Sequence, residues 1–177
     1  MSVYPTWLAG SRVTAAQLSG MQRMVIVAQS TQTVTNSTTK VNDNELVFSL
    51  AANAVYVVEF SLFFWGSTAA VDLSLQWTVP SGSTGLRHIM SPTLTSASFT
   101  SREDTRSKFA AHLYGTSSVI QIDVDSAHDT AIFDRSVITT SSTSGNVSPS
   151  WAMFTAAGAG TTLNRDANSF MSVQRVG

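Results

Sequence analysis

Val71-Asp72-Leu73-Ser74-Leu75-Gln76-Trp77-Thr78-Val79, closed by Pro80-Ser81-Gly82, alternates apolar and polar residues without a break. Successive side chains of a strand point to opposite faces, so this stretch has one buried and one wet face. It sends Leu73, Leu75 and Trp77 toward a core. Residues 54–65 form the longest strand candidate. Tyr56, Val58, Phe60, Leu62 and Phe64 share one of its faces; Val55, Val57, Glu59, Ser61, Phe63 and Trp65 share the other. That second face is only partly polar, which predicts a strand central in a sandwich or covered on its outer side by a partner.

Further strands are expected at 24–29, continuing through 31–35, and at 46–50, 86–90, 109–114, 119–124, 131–140, 147–155 and 169–176. Asn42-Asp43-Asn44, Ala51-Ala52-Asn53 and Gly158-Ala159-Gly160 read as turns, and Ser91-Pro92 as a strand stop. The polar stretch 93–108, with its charge cluster from Arg102 to Lys108, reads as a long surface loop. Short, evenly spaced strands without interleaved helices predict an all-β chain, an antiparallel β-sandwich of jelly-roll-like type over residues 24–177.

Residues 1–23 differ. Trp7 and Leu8 offer an apolar anchor, and Thr14 with Gln17 forms a capping box inside a Val13–Leu18 staple. The cap predicts a short helix over 15–22 with Leu18 and Met21 on one face. Two turns of helix are unstable alone. The segment is therefore expected to be an attachment arm, with Trp7, Leu8, Leu18 and Met21 as its contacts to the body, another copy or a larger host.

The chain has 177 residues, a net charge of −1 and only 12% charged residues, about half the usual share. Such a balance implies no nucleic-acid-binding surface. Mean hydropathy is +0.11. Hydroxyls must supply much of the polar exterior, and low charge with positive hydropathy fits an exterior partly covered by copies of itself. The absence of cysteine excludes disulfides, thiolate metal sites and cysteine nucleophiles. The amino terminus lacks a basic segment followed by an apolar one, so no secretory signal is expected, and residues 54–65 are too short to span a bilayer. No membrane partner is implied.

Chemistry is sparse. His88, His112 and His128 share no ligand spacing, and His112 is expected on an outer or interface face of its strand. Asp123 and Asp125, with His128 or Asp129 nearby, form the best cation candidate, but turn chemistry explains them and no metal is assigned. There is no G-x-S-x-G elbow, H-E-x-x-H or phosphate-binding loop. Glu59, alone in an apolar strand, reads as a buried, paired structural group. No catalytic residue, cofactor or metal is expected, and the chain is not expected to be an enzyme. Four tryptophans raise the alternative of a sugar-stacking platform, although Trp77 and Trp151 have packing roles.

Several blocks resemble small virion proteins of actinobacterial tailed phages: Trp7-Leu8-Ala9-Gly10-Ser11-Arg12-Val13-Thr14-Ala15-Ala16-Gln17-Leu18, Asn44-Glu45-Leu46-Val47-Phe48 with Ala52-Asn53-Ala54-Val55-Tyr56, Trp77-Thr78-Val79-Pro80-Ser81-Gly82, and Ser169-Phe170-Met171-Ser172-Val173-Gln174-Arg175-Val176. The resemblance implies a structural protein of the minor tail, fibre or head-decoration kind. It further implies a homotrimer that contacts other capsid or tail proteins in a virion assembled in the host cytoplasm. The alternative function is a receptor-binding module for host cell-wall glycans. No functional residue is carried over.

Overall fold

The computed structural model describes residues 9, 10, 12, 14, 22–68, 71–92, 107–114 and 120–177. The arm contacts Trp7, Leu8, Leu18 and Met21, and the helix expected over 15–22 except for Gln22, lie outside the described residues. Among the described residues there are thirteen strands: β1 (Met24–Val27), β2 (Gln32–Thr35), β3 (Val41–Asn42), β4 (Phe48–Leu50), β5 (Val55–Gly66), β6 (Asp72–Thr78), β7 (Arg87–Pro92), β8 (Ser107–His112), β9 (Ile120–Asp123), β10 (Thr130–Thr139), β11 (Gly145–Met153), β12 (Thr162–Arg165) and β13 (Phe170–Arg175).

They form two antiparallel sheets. The large sheet runs β1-β13-β5-β10-β7-β8, with β12 pairing β2 and β5; the small sheet runs β3-β11-β6-β9, with β4 also on β11. From β4 to β7 and from β9 to β12 the chain alternates between the sheets, which is the winding of a jelly roll. The pair β7–β8 extends the large sheet beyond β10. Strands β12 and β13 both pair antiparallel with β5, and β2 and β1 pair with them in turn. Each couple is thus one long strand broken in the middle.

The core fills the space between the sheets. Tyr56, Val58, Phe60, Leu62 and Phe64 of β5 are buried, as their shared face requires, and so are Leu73, Leu75 and Trp77 of β6. Phe60 meets Trp77 edge-on at 4.6 Å, and Phe64 meets Trp151 at 5.1 Å, so aromatic pairs join the two layers. Pro149 sits where β11 changes partner from β4 to β3, and its carbonyl accepts from the Asp43 N–H. A proline is tolerated where the ladder is interrupted.

Several expectations need correction. The strand at 86–90 does not stop at Ser91-Pro92 but runs through them, because β8 pairs with it from Ser107 onward. Ser107 and Lys108 therefore belong to a strand, not to the surface loop. Strands β3 and β12 were absent from the expected set. Both are short, and β12 lies just after the Gly158-Ala159-Gly160 bend. The edge run at 24–29 is a four-residue strand with Met24, Val25 and Val27 exposed.

Two buried ion pairs fix the core: one joins the layers and one joins neighbouring strands of the large sheet. Arg165, fully buried at the end of β12, donates to Asp43 from Nε at 2.7 Å and to the Ser30 carbonyl from Nη1 at 2.7 Å. One guanidinium thus spans the breaks in both long strands and the turn after β3. Glu45 joins this corner by accepting from Ser30 Oγ at 2.8 Å and from the backbone N–H of Gln29 and Ser30. The Ser30 hydroxyl first, then the Ser30 and Gln29 N–H groups, hold its carboxyl below the ordinary 4.5. A group depressed on folding adds stability above its unfolded value and loses it as the pH falls through its folded value. Stability is therefore expected to decline with acid below pH 4.5. Glu45→Gln should flatten that part of the curve when unfolding is followed by circular dichroism across pH.

The second pair joins β7 and β10 under β6. Arg87 and Asp134 are both fully buried and bonded to each other, and Trp77 Nε1 donates to Asp134 Oδ2 at 2.8 Å. Arg87 lies over the Trp77 ring at 5.4 Å, and Tyr114 stacks on the same ring at 5.8 Å while bonding Ser136. Burial pushes the Asp134 carboxyl above its usual range against the pull of Arg87. Gly85 closes this corner with φ of +148°; a Cβ there would collide with the Tyr114 hydroxyl and the Val137 carbonyl. Gly85→Ala is expected to cost at least about 1–3 kcal/mol from the backbone conformation alone, read as a lower urea midpoint with an unchanged slope.

Candidate interaction face

The outer faces of the two sheets differ in chemistry. On the small sheet the outward positions carry Asp72, Ser74, Gln76 and Thr78 of β6 and Ser148, Ser150 and Ala152 of β11. Local partners serve several of them: Lys40 Nζ donates to Ser74 Oγ at 2.9 Å, Thr78 Oγ1 to Asn42 Oδ1 at 2.7 Å, and Gln121 Nε2 to Asp72 at 3.3 Å. Partial burial lowers the Lys40 ammonium from its ordinary value. This face is polar, with Gln76 Oε1 left buried without a hydrogen-bond partner among the described residues.

The large sheet presents the opposite. Strand β10 alternates strictly, burying Thr130, Ile132, Asp134, Ser136 and Ile138 and exposing Ala131, Phe133, Arg135, Val137 and Thr139. Phe133 and Val137 are each 51% exposed. Register carries this greasy strip across the sheet, for Val27 pairs with Phe170, Phe170 with Ser61, Ser61 with Phe133, and Phe133 with Met90. Four of these five side chains are large, apolar and over one-third exposed. Monomers rarely leave such a contiguous apolar patch open to water.

The adjoining row carries the charge. Glu59 sits opposite Arg135 on β10 and Ser172 on β13. Arg135 Nε meets Glu59 Oε1 at 3.1 Å, and Arg23 reaches over from beside β1 to bond both Glu59 Oε2 and Ser172 Oγ. Glu59 is therefore paired as expected, but its side chain is 30% exposed and lies on the outer face rather than in the core. Both arginines are more than half exposed and Glu59 is 30% exposed, so their pairing adds little stability and chiefly orders the surface.

The other singled-out residues fall elsewhere. His112 is on the face opposite Ala111, as expected, yet that face is the inner one: it pairs with buried Arg87 and lies within electrostatic reach of Asp134. Asp125 accepts from the Ala127 N–H at 2.9 Å and from His128 Nδ1 at 3.0 Å, closing a turn. Burial works upward on its carboxyl, but these bonds bring it below the usual range. Among the described residues no three His, Asp or Glu side chains converge as metal ligands. Trp77 and Trp151 are buried, so neither offers a ring to a sugar, whereas Trp65 is 36% exposed. A shallow groove of about 330 Å³ lies beside Phe48, Tyr56 and Arg175, near the lower size limit of small-molecule sites.

Sequence reasoning missed both buried arginines. The signal for Asp134 was present, since it alternates in phase with Ile132 and Ile138 and so had to face inward with a partner.

No protein-family model matches the chain, and no curated protein matches it. A chain of the solved structure described as "Structure of infectious bursal disease virus Gx strain" aligns at 13% identity and a TM-score of 0.21. The alignment covers 86% of this chain and 40% of that one. The assignment that the residues themselves sustain is therefore one of architecture: an all-β, two-sheet sandwich wound as a jelly roll.

Proposed function

We propose that this chain is a non-enzymatic structural module of a phage virion that assembles as a homotrimer. It decorates the head or forms part of the tail, and it is fastened to other virion proteins by residues 1–23. The observation that carries the reading is the contrast between the two outer faces: one sheet is polar, the other carries an in-register apolar row. An isolated protein gains nothing from such a face; a subunit buries it. The low charge of the chain supports the same reading, as do the sequence blocks resembling phage virion proteins. Trp7, Leu8, Leu18 and Met21 supply the arm's apolar contacts. No cofactor takes part, and the work is burial of apolar area repeated by symmetry.

The test is to image purified particles of the phage that encodes the chain, labelled with an antibody raised against it. Label at regular positions on head or tail is expected; particles free of it would end the proposal. Leu18→Asp should abolish attachment while leaving the circular dichroism spectrum of the body unchanged.

A further inference from the structure

Resting on the assembling role just proposed, we infer that the outer face of the large sheet is the contact between copies of this chain, centred on Phe133 and Val137. Three observations select a second copy as the occupant. The first is extent. Six strands give five steps of about 4.8 Å, and a ten-residue pairing such as β5–β10 is about 33 Å long. The face therefore offers up to about 800 Å² of flat area, as much as one partner contributes to a standard specific interface and shared between two neighbours in a ring. The second is charge. Glu59 lies between Arg135 and Arg23, so the charge of this row is one carboxylate bonded by two guanidiniums rather than a positive field spread over the face. A nucleic acid or anionic membrane would call for excess positive charge spread over the face. A second copy instead brings its own Arg135 to Glu59 and its own Glu59 to Arg135 around a ring. The third is the row itself. Val27, Phe170, Phe133 and Met90 are fixed by strand register on a rigid sheet, so they need no ordering before contact.

The face also suits heterologous packing. Val27 and Phe170 sit toward the β1 edge, while Phe133 and Met90 sit toward the β7 edge. A copy related by three-fold rotation can therefore lay one edge of the row against the other edge of its neighbour, and three such contacts close.

The chain has no cysteine, so a single introduced thiol reports on its own position. Phe133→Cys and Asn146→Cys, the latter at the one exposed position of β11, would each be prepared in the full chain. Each would be labelled with a maleimide dye at high protein concentration while its mass is followed by sedimentation. In the oligomer, the Phe133→Cys thiol should react at least about tenfold more slowly than the Asn146→Cys thiol, as expected when few copies are dissociated. The difference should vanish on dilution to monomer, and Phe133→Asp should give a folded monomer at every concentration. An oligomer in which both thiols react equally would overturn the inference and leave the assembling role standing. A wild-type chain that is monomeric throughout would overturn both.

Discussion

Asp134→Asn is expected to lower the unfolding free energy by about 3–5 kcal/mol, because it leaves the fully buried Arg87 charge without its counterion. For a chain of this size each kcal/mol moves the melting temperature by about 2–4 °C, so the midpoint should fall by roughly 6–20 °C. The shape of the side chain is kept, and so is an oxygen able to accept from Trp77 Nε1. The loss is electrostatic. Replacing both partners at once, Arg87→Met with Asp134→Leu, should recover most or all of it, since a packed apolar pair carries no desolvation penalty. Denaturant titrations of the three variants would decide the matter. A single variant within about 0.5 kcal/mol of wild type would show that the ion pair is not buried as described.

Trp77→Ala should be comparably severe, at about 3–5 kcal/mol for truncating a large core side chain. Trp77 is 2% exposed and packs against Phe60, Tyr114 and Arg87. Its N–H also donates to Asp134 from the opposite sheet. Trp77→Phe separates the contributions: it keeps much of the volume and loses only the bond to a charged acceptor, about 1.5–3 kcal/mol. Because Trp77 and Asp134 share that bond, the combined variant Trp77→Phe with Asp134→Asn should cost less than the sum of its parts. Strict additivity would mean that the two residues act independently, contrary to the contact between them.

The alternation of residues 71–79 and the one-sided apolar set in β5 placed the core correctly because period-two patterning is a direct imprint of burial. The jelly-roll winding was legible only as a class. Strand order depends on which edges meet across the sandwich, and that is carried by contacts such as Arg165 with Asp43, 122 residues apart. Reading Ser91-Pro92 as a stop failed because the expected strand at 109–114 begins two residues earlier, and Ser107 and Lys108, inside a polar stretch, carry the pairing through Pro92. His112 was placed on the correct alternation but turned outward, since its inward partners Arg87 and Asp134 lie on other strands. The apolar outer face was half visible: Val57, Phe63 and Trp65 announced that β5 is greasy on both sides. The continuous row needed the register of five neighbouring strands. Glu59 misled for the same reason, because a lone carboxylate in an apolar strand reads as buried until its arginines are seen beside it on the surface.

Self-association is the claim from which the rest follows, and sedimentation equilibrium of the unmodified chain over a wide concentration range tests it most directly. A species of three times the 18.9 kDa chain mass is expected, dissociating only on strong dilution. A single species of 18.9 kDa at every concentration would contradict it.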